Sequence, residues 1–203
     1  MNGVRHAVQA YDDCASGYRS WRWSALWDKI EVPTVIQHLP AAGNVIDLGC
    51  GYGRYAAACI GKGLSYCGVD ASSGMLDLVT ERRAAFVHAD LRWYQSAVLA
   101  DVVLCTRVLS NLRDPRAVLR AVSRNLQAGG SFMLTDFHEG YRFERQTIEG
   151  RNGCDVAVPV FRHPAEAIRR AIRRTGLKLD EEKVLHSEGR QPVLMMYRGT
   201  KPS

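Results

Sequence analysis

Three aspartates, each at or near the end of a short apolar run, constrain this chain more than any other feature. Asn44 to Leu48 is a run of the kind a buried strand makes, with Asp47 inside it. Tyr66 to Val69 is a second and ends on Asp70; Ala85 to His88 is a third and ends near Asp90. Asp101 to Cys105 and Ser131 to Thr135 read as a fourth and fifth. Helical segments alternate with them. Arg54 to Ile60 is closed by Gly61 and Gly63. A second helix is capped by Ser72-Ser73 and runs through Met75, Leu78 and Val79. A third is capped by Asp114, has Pro115 at its first position, carries Val118, Leu119, Val122 and Leu126, and ends at Gly129-Gly130. This rhythm implies an α/β fold with parallel strands joined by right-handed crossovers. Ligands of such sheets bind at the carboxyl ends of the strands, near the switch in strand order. Asp47, Asp70 and Asp90 are thereby expected along one ligand-facing edge.

The flanks differ in texture. Residues 1 to 40 read as helical: Tyr11, Cys14, Ala15 and Tyr18 share one face, and Trp21, Trp23, Trp27, Ile30, Val35, Ile36 and Leu39 follow. Residues 138 to 162 read as irregular and polar, a stretch long enough to be functional. A helix from Pro164 to about Thr175 stops at Gly176, and Leu177 to Leu185 with Val193 to Tyr197 read as a closing antiparallel pair. The division is a helical lid over 1–40, a core over 41–137, an insert over 138–163 and a C-terminal helix and strand pair over 164–203, all in a single domain.

The 203 residues suffice for one α/β core and fall short of two domains. No run approaches the roughly 18 apolar residues of a membrane span, and the N-terminus does not read as a signal peptide; the expectation is a cytoplasmic protein without a membrane partner. None of the six cysteines, Cys14, Cys50, Cys59, Cys67, Cys105 and Cys154, forms a Cys-x-x-Cys pair, so they read as reduced, mostly buried thiols and no metal site is expected. The net charge of +6 permits an anionic partner without requiring one, since the arginine pairs Arg82-Arg83, Arg169-Arg170 and Arg173-Arg174 fall on or beside helices.

Gly49, Gly51 and Gly53 directly follow the first strand and precede a helix. Glycines there let the backbone turn tightly and approach a ligand with no Cβ in the way, and the helix start adds free N–H groups. A dinucleotide site wants Gly-x-Gly-x-x-Gly, but position 54 is Arg. Asp47, two residues before the first glycine, would repel a pyrophosphate and suit a sulfonium or ammonium. The spacing favours S-adenosylmethionine over NAD.

Asp47-Leu48-Gly49-Cys50-Gly51-Tyr52-Gly53 resembles the first motif of the class I S-adenosylmethionine-dependent methyltransferases, and Gly68-Val69-Asp70-Ala71-Ser72-Ser73-Gly74-Met75-Leu76 the second. Ala89-Asp90-Leu91 is similar to the third, Cys105-Thr106-Arg107 to the segment beside the methionine end of the cofactor, and Leu126-Gln127-Ala128-Gly129-Gly130 to the turn before strand five. The resemblance covers roughly residues 41 to 137. It implies a Rossmann-like, doubly wound, seven-stranded sheet, mostly parallel with a C-terminal antiparallel strand pair and an N-terminal helical lid. It also implies roles: Asp70 on the ribose hydroxyls, Ala71 and Met75 flanking adenine, Asp90 and the Leu91 N–H on the adenine edge, and Thr106 beside the methionine end. Tyr11 and Tyr18 resemble lid tyrosines that contact the methionine portion. With Asp47, Gly49 and Gly51 they make up the expected cofactor site.

Methyl transfer needs a nucleophile about 3 Å from the methyl carbon and in line with the departing sulfur, and a base only if that nucleophile is protonated. His138, after Asp136 and Phe137 at the end of strand five, is the candidate base. His163 reads as a capping or lid residue and His88 as structural. Relatives often carry a histidine after strand four within a Leu-x-His-Leu-like stretch; here the stretch is Leu109-Ser110-Asn111-Leu112, and Asn111 cannot serve as a base. No Asn-Pro-Pro-Tyr or Asp-Pro-Pro-Tyr follows strand four, which argues against methylation of planar amino groups in nucleic acid or glutamine. Arg142, Arg145 and Arg151 in the insert favour an anionic substrate if they face it, and are otherwise solvated loop charge. The expectation is methyl transfer to an O or N atom of a small-molecule metabolite. An RNA or protein methyltransferase and a non-catalytic S-adenosylmethionine-binding protein remain alternatives, and a monomer and a homodimer are both open.

Overall fold

Val45, Ile46 and Leu48 are all buried, and their side chains point alternately to opposite faces. Only a strand covered on both faces does this, and it sets the frame for the rest. The computed structural model describes residues 2–141, 146–150 and 153–203. Two helices lead, α1 (Asn2–Tyr18) and α2 (Arg22–Gln37). The alternating core follows: β1 (Asn44–Leu48), α3 (Ala56–Gly61), β2 (Ser65–Asp70), α4 (Ser73–Leu76), β3 (Ala85–His88), β4 (Ala100–Thr106), a 3-10 turn (Leu109–Asn111), α5 (Arg116–Asn125) and β5 (Leu126–Phe137). The chain closes with β6 (Gln146–Glu149), β7 (Asp155–Val158), α6 (Ala165–Arg174), β8 (Lys178–Glu188) and β9 (Gln191–Thr200).

The main sheet runs β3-β2-β1-β4-β5-β9-β8. Strands β1 to β5 are parallel, and β9 pairs antiparallel with both β5 and β8. Strand order reverses on either side of β1, so the switch point lies between β1 and β4, where a crevice opens. One face buries α5 and α6 through Val118, Leu119, Val122, Ile168 and Ile172; the other buries α2 and α3 through Val35, Ala56 and Cys59. Trp23 and Trp27 stack at 5.3 Å between centroids and pack with Val193 and Leu194. Among the described residues no helix is long and apolar enough to cross a membrane.

Four local expectations are corrected. The helix expected from Arg54 starts at Ala56, because Gly53 is left-handed (φ +75°) and cannot begin it. The helix expected through Leu78 and Val79 is one turn, Ser73–Leu76, with Ser72 Oγ accepting from Met75 N at 3.1 Å as its cap; beyond it, Arg19 takes the Leu78 carbonyl at 2.8 Å. Leu126, four residues after Val122, fits a helical stripe but starts β5. Asn125 ends the helix by donating back to Ala121 O (2.9 Å) and accepting from Ser96 N (2.8 Å), which frees Leu126 to pair with Ala100. The insert is not wholly irregular: β6 and β7 form an antiparallel hairpin whose Ile148 and Val158 are buried against α1 residues Ala10, Cys14 and Ala15. Arg142, Arg145 and Arg151 lie outside the described residues.

Candidate functional site

The crevice at the switch point is floored by the loop after β1. Gly49, Gly51 and Gly53 all take positive φ (+80°, +56°, +75°), which any residue with a Cβ resists. Space is the second reason at Gly49, where a Cβ would sit 2.3 Å from Val108 Cγ2. The loop is tied to the end of β2: Gly51 N donates to Asp70 Oδ2 at 2.7 Å and Ser72 N to Asp70 Oδ1 at 2.8 Å. Burial pushes the Asp70 carboxyl up, and these N–H groups pull it back toward the ionised form. Each oxygen keeps a lone pair for a ligand hydroxyl.

One cavity is lined by Tyr11, Tyr18, Gly49, Gly51, Asp70, Ala71, Met75, Asp90, Leu91 and Thr106, together with Ala7 and Val8 of α1. From β3 to β4 is three strand spacings, about 14 Å, so the trough is elongated, with Asp90 and Asp70 toward the β3 side and Thr106 at the β4 side. Arg92 grips Asp90 through Nε at 3.0 and 2.9 Å and keeps it ionised against the cost of its partial burial.

Helix α1 roofs the trough through three latches. Asp12 Oδ1 accepts from Ser72 Oγ (2.7 Å) and Gly74 N (2.9 Å). Tyr11 Oη donates to Asn111 Oδ1 at 3.3 Å. Arg107 Nη1 donates to Tyr18 Oη at 3.0 Å.

Asp47 and His138 are not among the lining residues. Asp47 is fully buried, with Tyr66 Oη donating to its Oδ2 at 2.6 Å. Burial pushes its carboxyl up to about 7 against that hydrogen bond. A group half-protonated near neutral pH is a poor counter-charge for a cation. His138 Nδ1 accepts from Gly140 N at 3.0 Å in the turn after β5. His163 Nε2 bridges the carbonyls of Leu109 and Leu112, both at 2.9 Å, and His88 Nε2 reaches Ala71 O at 3.0 Å. No group of three or more metal-ligating side chains occurs among the described residues.

The β4 side of the cavity holds residues that the sequence reading left without a role. Arg107 stands at φ +56°, the one non-glycine described with positive φ. Its N–H bonds Thr135 O at 2.7 Å and its carbonyl takes the Asn111 amide at 3.1 Å, which pins the strained backbone. Its Nε faces Glu31 Oε2 at 3.1 Å as an ion pair without a well-aligned hydrogen bond. Glu31 is wholly buried on α2 and also accepts from Thr135 Oγ1. Burial opposes the Arg107 charge, but Glu31 and the surrounding phenols more than compensate and hold it protonated. Arg54, the residue after Gly53, reaches Ser24 and Asp28 of α2 and clamps that helix to the glycine loop. The signal for Glu31 was present: Trp27, Glu31 and Val35 are spaced i, i+4, i+8, so a carboxylate interrupts an apolar stripe.

Comparison with known proteins agrees with this geometry. A family model described as a methyltransferase domain matches residues 19–182. The cypemycin N-terminal methyltransferase of a Streptomyces species is 28% identical over 182 residues, covering 85% of this chain and 70% of the relative. The mitochondrial ubiquinone biosynthesis O-methyltransferase of Schizosaccharomyces pombe is 27% identical over 137 residues, 63% of this chain and 50% of the relative. The chain thus spans between half and seven-tenths of these two proteins. Among solved structures, a methyltransferase from Streptomyces caelestis superposes with a TM-score of 0.79 at 16% identity, covering 97% of this chain and 99% of the other. Magnesium protoporphyrin IX methyltransferase from Synechocystis, solved with S-adenosylmethionine bound, gives 0.73 at 15% identity, covering 99% and 98%. At such identities the structural likeness establishes the fold alone.

Proposed function

The chain belongs to the methyltransferase-domain family, and on that premise we propose that it transfers a methyl group from S-adenosylmethionine to an O or N atom of a small-molecule metabolite. The observation that carries this reading is the convergence in one trough of a left-handed glycine loop, Asp70 with a spare lone pair on each oxygen, and Asp90. The residues present fit the cofactor. Asp70 takes the ribose hydroxyls, Ala71 and Met75 flank the adenine, and Asp90 and Leu91 meet its polar edge. Gly49 and Gly51 let the amino-acid portion approach the backbone, beside Tyr11, Tyr18 and Thr106. Asp47 and His138, off the cavity wall, are given no contact in this reading.

When bound, the cofactor supplies a methyl group on a sulfonium. The protein's own task is then positioning and exclusion of water. Helix α1 closes the trough with Tyr11 and Tyr18, and the β4 side orients the acceptor. Fixing two reactants in line is worth roughly 7–11 kcal/mol of barrier at best, so a site without a dedicated base can be effective if its acceptor arrives with a free lone pair. The walled trough supports a small acceptor over a polymer.

The reading is tested with methyl-labelled S-adenosylmethionine and three acceptor pools: a metabolite extract, bulk RNA and bulk protein. Label in extracted small molecules, with S-adenosylhomocysteine formed in equal amount, is the expected result. Label confined to RNA or protein contradicts it.

A further inference from the structure

The base-poor wall of the cavity bears on the class of acceptor. Among the described lining residues there is no histidine. Both lining carboxylates are engaged at the far side, Asp70 by two N–H groups and Asp90 by Arg92. Burial holds the Tyr11 phenol far up, so it stays protonated and donates to Asn111. What the β4 side does offer is a guanidinium. Arg107 lines the cavity with its side chain 10% exposed. Glu31 engages Nε and Tyr18 engages Nη1, and among the described residues no hydrogen bond is made by Nη2. The left-handed backbone at Arg107, held from both sides, is the kind of strain that clusters at functional sites.

We infer that Arg107 is the specificity-determining residue for the acceptor, and that the acceptor presents an anionic oxygen, a carboxylate or an acidic phenol, to its free guanidinium edge. This rests on the methyltransferase reading above. Charge supports it locally: Asp70 and Asp90 lie toward the β3 side, and on the β4 side Arg107 and Glu31 cancel, so a sulfonium there leaves a local surplus of one positive charge. An anionic oxygen neutralises that surplus and an ammonium doubles it. Chemistry supports it too. The oxygen lone pair forms the new O–C bond as the C–S bond breaks and its electron pair returns to sulfur. No proton has to be moved, so the missing base is not missed. The same guanidinium chemistry suits the cofactor's own α-carboxylate, and the experiment separates the two sources.

The probe is 4-nitrophenol, whose ionised form absorbs in the visible, added to protein saturated with S-adenosylhomocysteine. The wild type is expected to bind it and to lower its apparent pKa by about one unit, as a cation within reach does, and benzoate is expected to displace it while benzylamine does not. Arg107→Gln strands Glu31 as a buried lone charge and so risks misfolding. The double variant Arg107→Gln/Glu31→Gln removes both charges and, at saturating S-adenosylhomocysteine, is expected to abolish the shift, while loss of the Tyr18 latch weakens S-adenosylhomocysteine by no more than about tenfold, 1.4 kcal/mol. Glu31→Gln alone leaves the guanidinium unneutralised and is expected to deepen the shift; a merely structural pair would weaken it. The inference is overturned if the wild type shows no bound phenolate, if the shift survives the double variant, or if benzylamine competes as well as benzoate. It is also overturned if the double variant loses S-adenosylhomocysteine instead, which assigns Arg107 to the cofactor carboxylate. Failure of the wild type to bind S-adenosylhomocysteine at all counts against the proposed function itself, a separate result read before any phenol is added.

Discussion

At the scale of single residues, burial decides which charged groups face a ligand. Asp47 and Asp70 are both aspartates in or at the end of parallel strands, and in sequence they look alike. Asp70 is met by two loop N–H groups beside the cavity, whereas Asp47 is met by a phenol inside the core. The Asp47 carboxyl, raised to about 7, binds its proton more tightly in the folded than in the unfolded chain. Its contribution is therefore fully present below the unfolded carboxylate range and is lost as pH rises through about 7. Asp47→Asn removes this loss. It is expected to raise unfolding free energy at pH 8 by up to about 4 kcal/mol and to have little effect at pH 4, measured by urea denaturation at both values; an equal effect at both contradicts the assignment. Gly49→Ala should cost roughly 1–3 kcal/mol through its positive φ and the 2.3 Å approach to Val108, seen in the same denaturation curves. The glycines and the cavity acids were legible because their spacing is dictated by the strand–loop–helix turn. Arg107 was quoted without a role, since nothing in Cys105-Thr106-Arg107 announces a left-handed arginine or a partner 76 positions earlier, and Glu31 betrays itself only as a charge within an apolar stripe.

At the scale of elements, the central strands β1 and β4 were readable because both their faces are buried and their sequences are almost continuously apolar. Boundaries set by side-chain capture were not. Asn125 diverts Leu126 into a strand, and Arg19 and Asp12 hold the α4 region to a single turn. The β6–β7 hairpin was read as irregular because each strand has four residues and only Ile148 and Val158 supply deep burial, a pattern too short to stand out from a loop. The hairpin braces the roof: a Cβ on Gly17 of α1 would lie 2.2 Å from the Glu149 carbonyl oxygen. Gly17→Ala must therefore push α1 away from β6. We expect faster hydrogen exchange in α1 and weaker binding of S-adenosylhomocysteine by about tenfold, with the sheet's exchange unchanged. Unaltered exchange in α1 would show that the hairpin does not brace it.

At the scale of the molecule, the sheet order places Asp70, Asp90, the glycine loop and the β4 side on one edge, while α1 and the hairpin cover that edge from outside. A ligand held by both parts should stabilise the whole. At a hundredfold excess over its Kd, S-adenosylhomocysteine contributes about 2.7 kcal/mol, which for a chain of this size raises Tm by roughly 5–10 °C. The most direct test of the account is calorimetric titration of the purified protein with S-adenosylmethionine, wild type against Asp70→Ala. Two hydrogen bonds to a charged acceptor are lost in that variant, each worth about 1.5–3 kcal/mol. The account predicts one-to-one binding by the wild type and a loss of about 100-fold or more in the variant. Equal affinity in the two, or no binding by the wild type, would contradict it.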